Sequence, residues 1–187
     1  MSLFETQQLL ERLANLLRSE RRAILADFGL QPVQFEVLDY LSQCNRFSDT
    51  PMAVTEYLRQ TKGTVSQTLK VLEKYELITK VPDSADKRVV HLHLTDKGRE
   101  LITRVQPSSI MGLLEDDSSV IDIELINQQL KHLLFNLQHK NDLKAFGQCK
   151  FCQHNVAVNE GEFFCNLTKQ ALSDTEVELI CREQSVG

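Results

Sequence analysis

Apolar residues recur along the chain at three- and four-residue intervals, a spacing that predicts a mainly helical protein. Leu9, Leu13, Leu16, Leu17 and Ile24 form one stripe of a helix over residues 3–27, with Glu11, Arg12, Arg18 and Arg21 elsewhere on the cylinder. Gly29 ends it, and Pro32 opens a second helix through Phe35, Val37, Leu38 and Leu41 to about Gln43. Thr50-Pro51 marks a third start, because the hydroxyl caps a free amide and proline has no amide to leave unpaired. That helix runs to about Gln60, and Thr61 caps a fourth, roughly Lys62 to Tyr75, so the two form a helix-turn-helix candidate. The period then changes. Leu77–Val81 and Arg88–Leu94 read as strands around a Pro82–Lys87 loop, with Val90, Leu92 and Leu94 on one face. Thr95 starts a helix through Leu101, Ile102 and Val105 that Pro107 breaks or bends. Glu115–Asp117 reads as a solvated loop, and from about Ser119 a long helix carries Ile123, Ile126, Leu130, Leu133, Leu134 and Leu137. The expected fold is mainly α with a small β-hairpin wing: a winged helix-turn-helix whose long N- and C-terminal helices intertwine in a homodimer.

Composition narrows the class. The chain has 187 residues, 42% apolar and 25% charged, with 7 Gly, 4 Pro and no Trp, which excludes collagen, fibres, wholesale disorder and a turn-rich β-sandwich. No apolar run approaches the ~18 residues of a membrane span. Met1–Glu5 shows neither a basic patch nor an apolar core of a secretory signal, so a cytoplasmic setting with reduced thiols is expected. The net charge is −5, but residues 59–104 hold ten basic and six acidic groups, a local +4 that leaves −9 for the rest. A basic centre between acidic flanks is the footprint of a phosphate-facing surface, and its bland counterpart is a solvated helix face.

The fourth helix has two faces. Val65, Leu69 and Leu72 point to a core, while Thr64, Gln67, Lys70 and Lys74 lie opposite. With Thr61, Lys62 and Ser66 at its start, this face suits a major groove of double-stranded DNA: Gln bonds adenine, Thr meets a thymine methyl or a phosphate, and Lys reaches guanine or phosphate. Lys87 and Arg88 at the hairpin tip suit a backbone or a minor groove. His91 and His93 share the outer face of the second strand and read as surface residues, with metal ligation the sharper alternative.

Four stretches, Thr61–Ser66, Leu69–Glu73, Asp83–Arg88 and Leu94–Gly98, carry a resemblance to the multiple-antibiotic-resistance regulator (MarR) family of transcription factors. The order of helices extends it over residues 3 to about 140. The resemblance implies a winged-helix dimer whose helix 62–75 reads the major groove and whose wing reaches the minor groove. It implies repression of transcription, relieved by a small molecule, metal or oxidant. Two positions depart: Ala85 stands where the family wing has Arg, which leaves that contact to Lys87, and Glu76 stands where a Gly follows the recognition helix.

Residues 147–187 lie beyond this pattern, so the expected division is 1–146 and 147–187. Four of the five cysteines fall here, at Cys149, Cys152, Cys165 and Cys181. A Cys-x2-Cys pair places two sulfurs on one side of a short turn, and two more complete a tetrahedron, which favours zinc. An iron–sulfur cluster is the alternative cofactor, followed by redox-switching thiols and by four unrelated buried cysteines. Asn159–Gly161 supplies a turn, Phe163–Cys165 an extended piece, and Ser173 with Glu176 a capping box for a last helix ending at Cys181. His154 is a reserve ligand, and Cys44 reads as a small buried hydrophobe. The centre is expected to influence DNA binding by anchoring the long helix 119–140. An enzyme is the rival class, but no phosphate-binding glycine loop or nucleophile–base spacing is present, and the Cys-x2-Cys pair follows a helix instead of the strand–helix unit of thiol oxidoreductases. A protein-interaction module using the cysteine tail is the third class.

Overall fold

A computed structural model of the chain describes residues 2–106, 109–114, 121–159 and 161–185. The expected break at Pro107, the Glu115–Asp117 loop and the helix start at Ser119 lie outside these residues. Helix α1 spans Leu3–Ala26, capped by Ser2, and Gly29 follows it with a positive φ of 64°. Helices α2 (Pro32–Gln43), α3 (Pro51–Leu58) and α4 (Lys62–Lys74) come next. The hydroxyls of Thr50 and Thr61 accept from the amides of Ala53 and Thr64, the local chemistry that fixes both starts. The helix-turn-helix turn is tightened by Arg59, whose φ of 52° ends α3 at Leu58, two residues before the Gln60 of the sequence pattern.

Strands β1 (Ile78–Pro82) and β2 (Val90–Leu94) form the antiparallel wing, in register Ile78 to Leu94. Helix α5 (Asp96–Val105) follows at once. Thr95 Oγ1 donates to the Glu76 carbonyl at 2.7 Å and accepts from Gly98 N at 3.1 Å. A Cβ on Gly98 would sit 2.3 Å from the Leu77 carbonyl oxygen, so the Leu-Thr-x-x-Gly signature marks the place where α5 closes against the hairpin base. Glu76 adopts the left-handed conformation, φ 59°, that glycine would take there.

Leu25, Phe35, Leu38, Val54, Leu69, Leu72, Ile78, Leu92 and Ile102 belong to one continuous core of α1–α5 and the wing. After a short α6 (Ser109–Gly112), α7 spans Ile123–Lys140 and buries none of its residues. Leu125, Leu130, Leu134 and Leu137 are exposed on it, as are Leu3, Leu9, Leu13 and Leu16 on α1. Two apolar faces thus stand uncovered in a single chain.

The C-terminal segment is a knot of short pieces. Strand β3 (Gly147–Gln148) pairs with β7 (Ile180–Cys181), a 3-10 turn covers Cys149–Phe151, and β4 (Asn155–Asn159), β5 (Glu162–Cys165) and β6 (Gln170–Ser173) form an antiparallel sheet. The Ser173–Glu176 capping box is present, but it starts only the short α8 (Asp174–Val177), and Cys181 sits on β7 instead of a helix end. The segment is docked on the α2–α3 linker and on α3. Asn45 N donates to the Ile180 carbonyl at 2.9 Å, Arg46 pairs with Glu176, and Arg182 holds Glu56 through two bonds of 2.6 and 2.8 Å. Phe146 and Cys44 both join the main core.

Candidate functional site

Burial of Val65, Thr68, Leu69 and Leu72 fixes the rotation of α4 and turns Thr64, Ser66, Gln67 and Lys70 to the surface, beside exposed Thr61 and Lys62. Thr64 Oγ1 lies 2.9 Å from Thr61 Oγ1, so these two hydroxyls are tied into the cap. No hydrogen bond or ion pair among the described residues occupies Lys62, Gln67 or Lys70. A groove of about 320 Å³ runs between α3, α4 and the wing, and Lys62, Ser66, Lys70 and Lys80 stand on its walls with Met52 and Val90.

The wing tip is built from its carboxylates. Asp83 Oδ1 accepts from the amides of Ala85 and Asp86 at 2.8 and 2.7 Å, which holds its carboxyl below the usual range. Asp86 grips Arg88 in a fork of 2.9 Å and 2.7 Å and also accepts from its amide. Arg88 remains fully extended into solvent, but its guanidinium is oriented by Asp86, while Lys87 is exposed and unpaired among the described residues.

One group was not visible in the sequence. His91 Nδ1 lies 2.5 Å from Asp49 Oδ1 and its Nε2 3.2 Å from Asp83 Oδ2, with His93 Nε2 3.5 Å from Asp49 Oδ2. The carboxylates raise the His91 pKa, chiefly through the bond to Asp49, while burial pushes Asp49 up against the pull of both imidazoles. Leu92 N also donates to the Asp49 carbonyl at 2.7 Å. The histidines are therefore a clasp between wing and linker instead of bare surface. The only sequence signal was an acid just ahead of the Thr50 cap.

The four tail cysteines line one small cavity of about 20 Å³, together with His154, Asn155 and Thr168. All five cysteines of the chain are free. Cys149 and Cys181 are buried and hydrogen-bonded to each other, which draws the Cys181 thiol down to about 6 and pushes Cys149 up. Asn45 Nδ2 donates to Cys149 Sγ at 3.2 Å. Asn155 Oδ1 and Thr168 Oγ1, whose residues line the cavity, are buried without a hydrogen-bond partner among the described residues, an unusual state for native polar atoms. Among the described residues no three His, Cys, Asp or Glu side chains are drawn together closely enough to hold a metal ion as they stand. The donor set and the two orphaned oxygens fit a ligand; the side-chain positions fit a pair of thiols.

A helix-turn-helix with an open polar recognition face and a hairpin wing is the architecture of a DNA-binding transcription regulator of the winged-helix class. Residues 21–105 match the family model described as "Transcriptional regulator SarA/Rot". The HTH-type transcriptional regulator YsmB of Bacillus subtilis is 28% identical over 136 residues, 73% of this chain and 90% of that protein. The structure of Streptococcus pneumoniae FabT in complex with DNA is similar at 29% identity and a TM-score of 0.54, covering 73% of this chain and 95% of that one. The S. aureus MepR–DNA complex is similar at 25% identity and a TM-score of 0.54, covering 73% and 97%. Both are regulators of the MarR type, in keeping with the motif resemblance. No helix among the described residues is long and apolar enough to cross a membrane.

Proposed function

We propose that the chain acts in the cytoplasm as a homodimeric repressor that binds a near-palindromic double-stranded DNA operator. The observation that carries this reading is the unpartnered face of α4, with Gln67 and Lys70 beside a basic groove and a preformed wing. FabT and MepR, both solved with DNA, use the same fold, which supports DNA as the partner. The uncovered faces of α1 and α7 supply the dimer contact, and a twofold pair of recognition helices places half-sites about one helical turn apart. Gln67→Ala should cost about 1–3 kcal/mol at the preferred site and relax base preference, read by fluorescence anisotropy on fragments of the protein's own promoter. Unchanged specificity would remove α4 from base reading. Arg88→Ala and Asp86→Ala should weaken binding alike, because the fork between them shapes the wing.

The same reading assigns Cys149, Cys152, Cys165 and Cys181 to one centre per chain, with zinc the favoured metal and an iron–sulfur cluster the alternative. The shared cavity and its two unsatisfied oxygens support a ligand there. Ligation requires the thiols to give up their protons, so acid or a chelator should release the metal. Metal analysis and an absorption spectrum of anaerobically purified protein decide it: a colourless protein with about one zinc per chain supports zinc, and a brown one the cluster.

A further inference from the structure

The cysteine pair and the wing are held by opposite ends of one five-residue linker, Asn45–Asp49. At the first end, the amide of buried Asn45 faces Cys149 Sγ, and its Oδ1 accepts from Phe47 N at 3.1 Å and Ser48 Oγ at 2.9 Å. Ser48 Oγ in turn accepts from Arg182 N, next to Cys181, at 2.8 Å. At the other end Asp49 holds the wing twice, through its carbonyl to Leu92 N and its carboxylate to His91. Asn45 and Ser48 are fully buried, so neither can exchange its partners for water. Helix α7, the alternative route from the tail, buries no residue among those described.

We propose that Asn45 and Asp49 are positioning residues that convert the chemical state of Cys149 and Cys181 into the position of strand β2, and so set the wing's reach toward DNA. A free cysteine sulfur and a metal-bound one differ as acceptors for the Asn45 N–H, which lies 3.2 Å from Cys149 Sγ. A change there is passed to Ser48 and Asp49 because the turn has no slack. The inference rests on the cysteine centre proposed above, yet it holds for any change of state at Cys149, so the two are tested separately.

The experiment is amide hydrogen exchange at residues 90–94 of the full-length dimer, in zinc-loaded, chelator-treated and Cys149→Ser forms, with zinc content measured on each. Exchange in β2 should differ about fivefold or more between states, the scale of a modest allosteric coupling. Asn45→Asp keeps the acceptor oxygen but loses the donor, and it should abolish the difference while the zinc content stays. Should Asn45→Asp fail to fold, Asp49→Asn breaks the far end of the same route and should reduce the difference at least by half. Equal β2 exchange in all three forms overturns the proposal, as does a full-size difference that survives the linker variant. If no zinc binds but Cys149→Ser still changes β2 exchange through Asn45, the metal reading falls and the coupling stands.

Discussion

The winged helix and the C-terminal knot are stabilised by different means. Residues of α1–α5 and the wing, joined by Phe146, assemble twenty buried apolar side chains into one core. The knot gathers four, and two of those are Cys149 and Cys181. A core of that size cannot offset the ordering of nearly forty residues, so the knot depends on what it leans against and, in the proposed reading, on the centre its thiols form. It leans on the winged helix, through Asn45, Arg46 and Ser48 of the α2–α3 linker and Glu56 of α3. A region with its own core supports a region with a much smaller one, and the supported region holds four of the five cysteines.

The contrast breaks most sharply at the cysteines. Cys149→Ser with Cys152→Ser should render residues 147–185 sensitive to protease while the winged helix still melts cooperatively, as limited proteolysis with mass spectrometry and circular dichroism would record. A double variant whose tail stays resistant would mean that docking alone holds the knot. Leu72→Ala, in the centre of the main core, should cost about 2–5 kcal/mol in urea unfolding and take the knot down with it, because the linker that bears the knot unfolds too.

Much of this was readable from the chain, and the division follows the range of the interactions. Thr50, Thr61 and Thr95 announce helix starts because each hydroxyl bonds an amide three residues on. The hairpin and recognition face follow from period and charge for the same reason. Asp49 and His91 are 42 positions apart, and Asn45 and Cys149 are 104 apart. No local pattern encodes either contact, so the histidines read as surface and the tail as a separate unit. Cys181 was placed on a helix because the capping box at Ser173 is a strong local signal, but that helix ends at Val177 and β7 pairs with β3 instead.

Smaller effects sharpen the comparison within the winged helix. Glu76→Gly should stabilise the domain by about 1 kcal/mol, since it removes a side chain from a left-handed position, and thermal melts would show it. A variant less stable than the parent would mean that Glu76 makes up the backbone cost through its side chain. The clasp at His91 faces Asp49, Asp83 and His93, and its folded pKa lies above the ordinary 6.5. Its contribution is therefore full below about pH 6.5 and is lost as pH rises through the raised folded value; Asp49, also shifted upward, acts in the same direction. His91→Gln should cost less than about 1 kcal/mol at pH 6 and less still at pH 8. Urea midpoints of both proteins at the two pH values test it.

The uncovered faces of α1 and α7 have a consequence for how much protein a cell must hold. In the proposed homodimer, a chain that keeps Leu9, Leu13, Leu16, Leu130 and Leu134 in water until it meets a copy completes its folding only on association. Its melting temperature should then climb with concentration, by mass action. Occupancy of an operator would fall more steeply than linearly as the protein is diluted below its dimerisation constant. Halving the amount of such a regulator at each cell division, without resynthesis, would therefore release its genes abruptly instead of gradually.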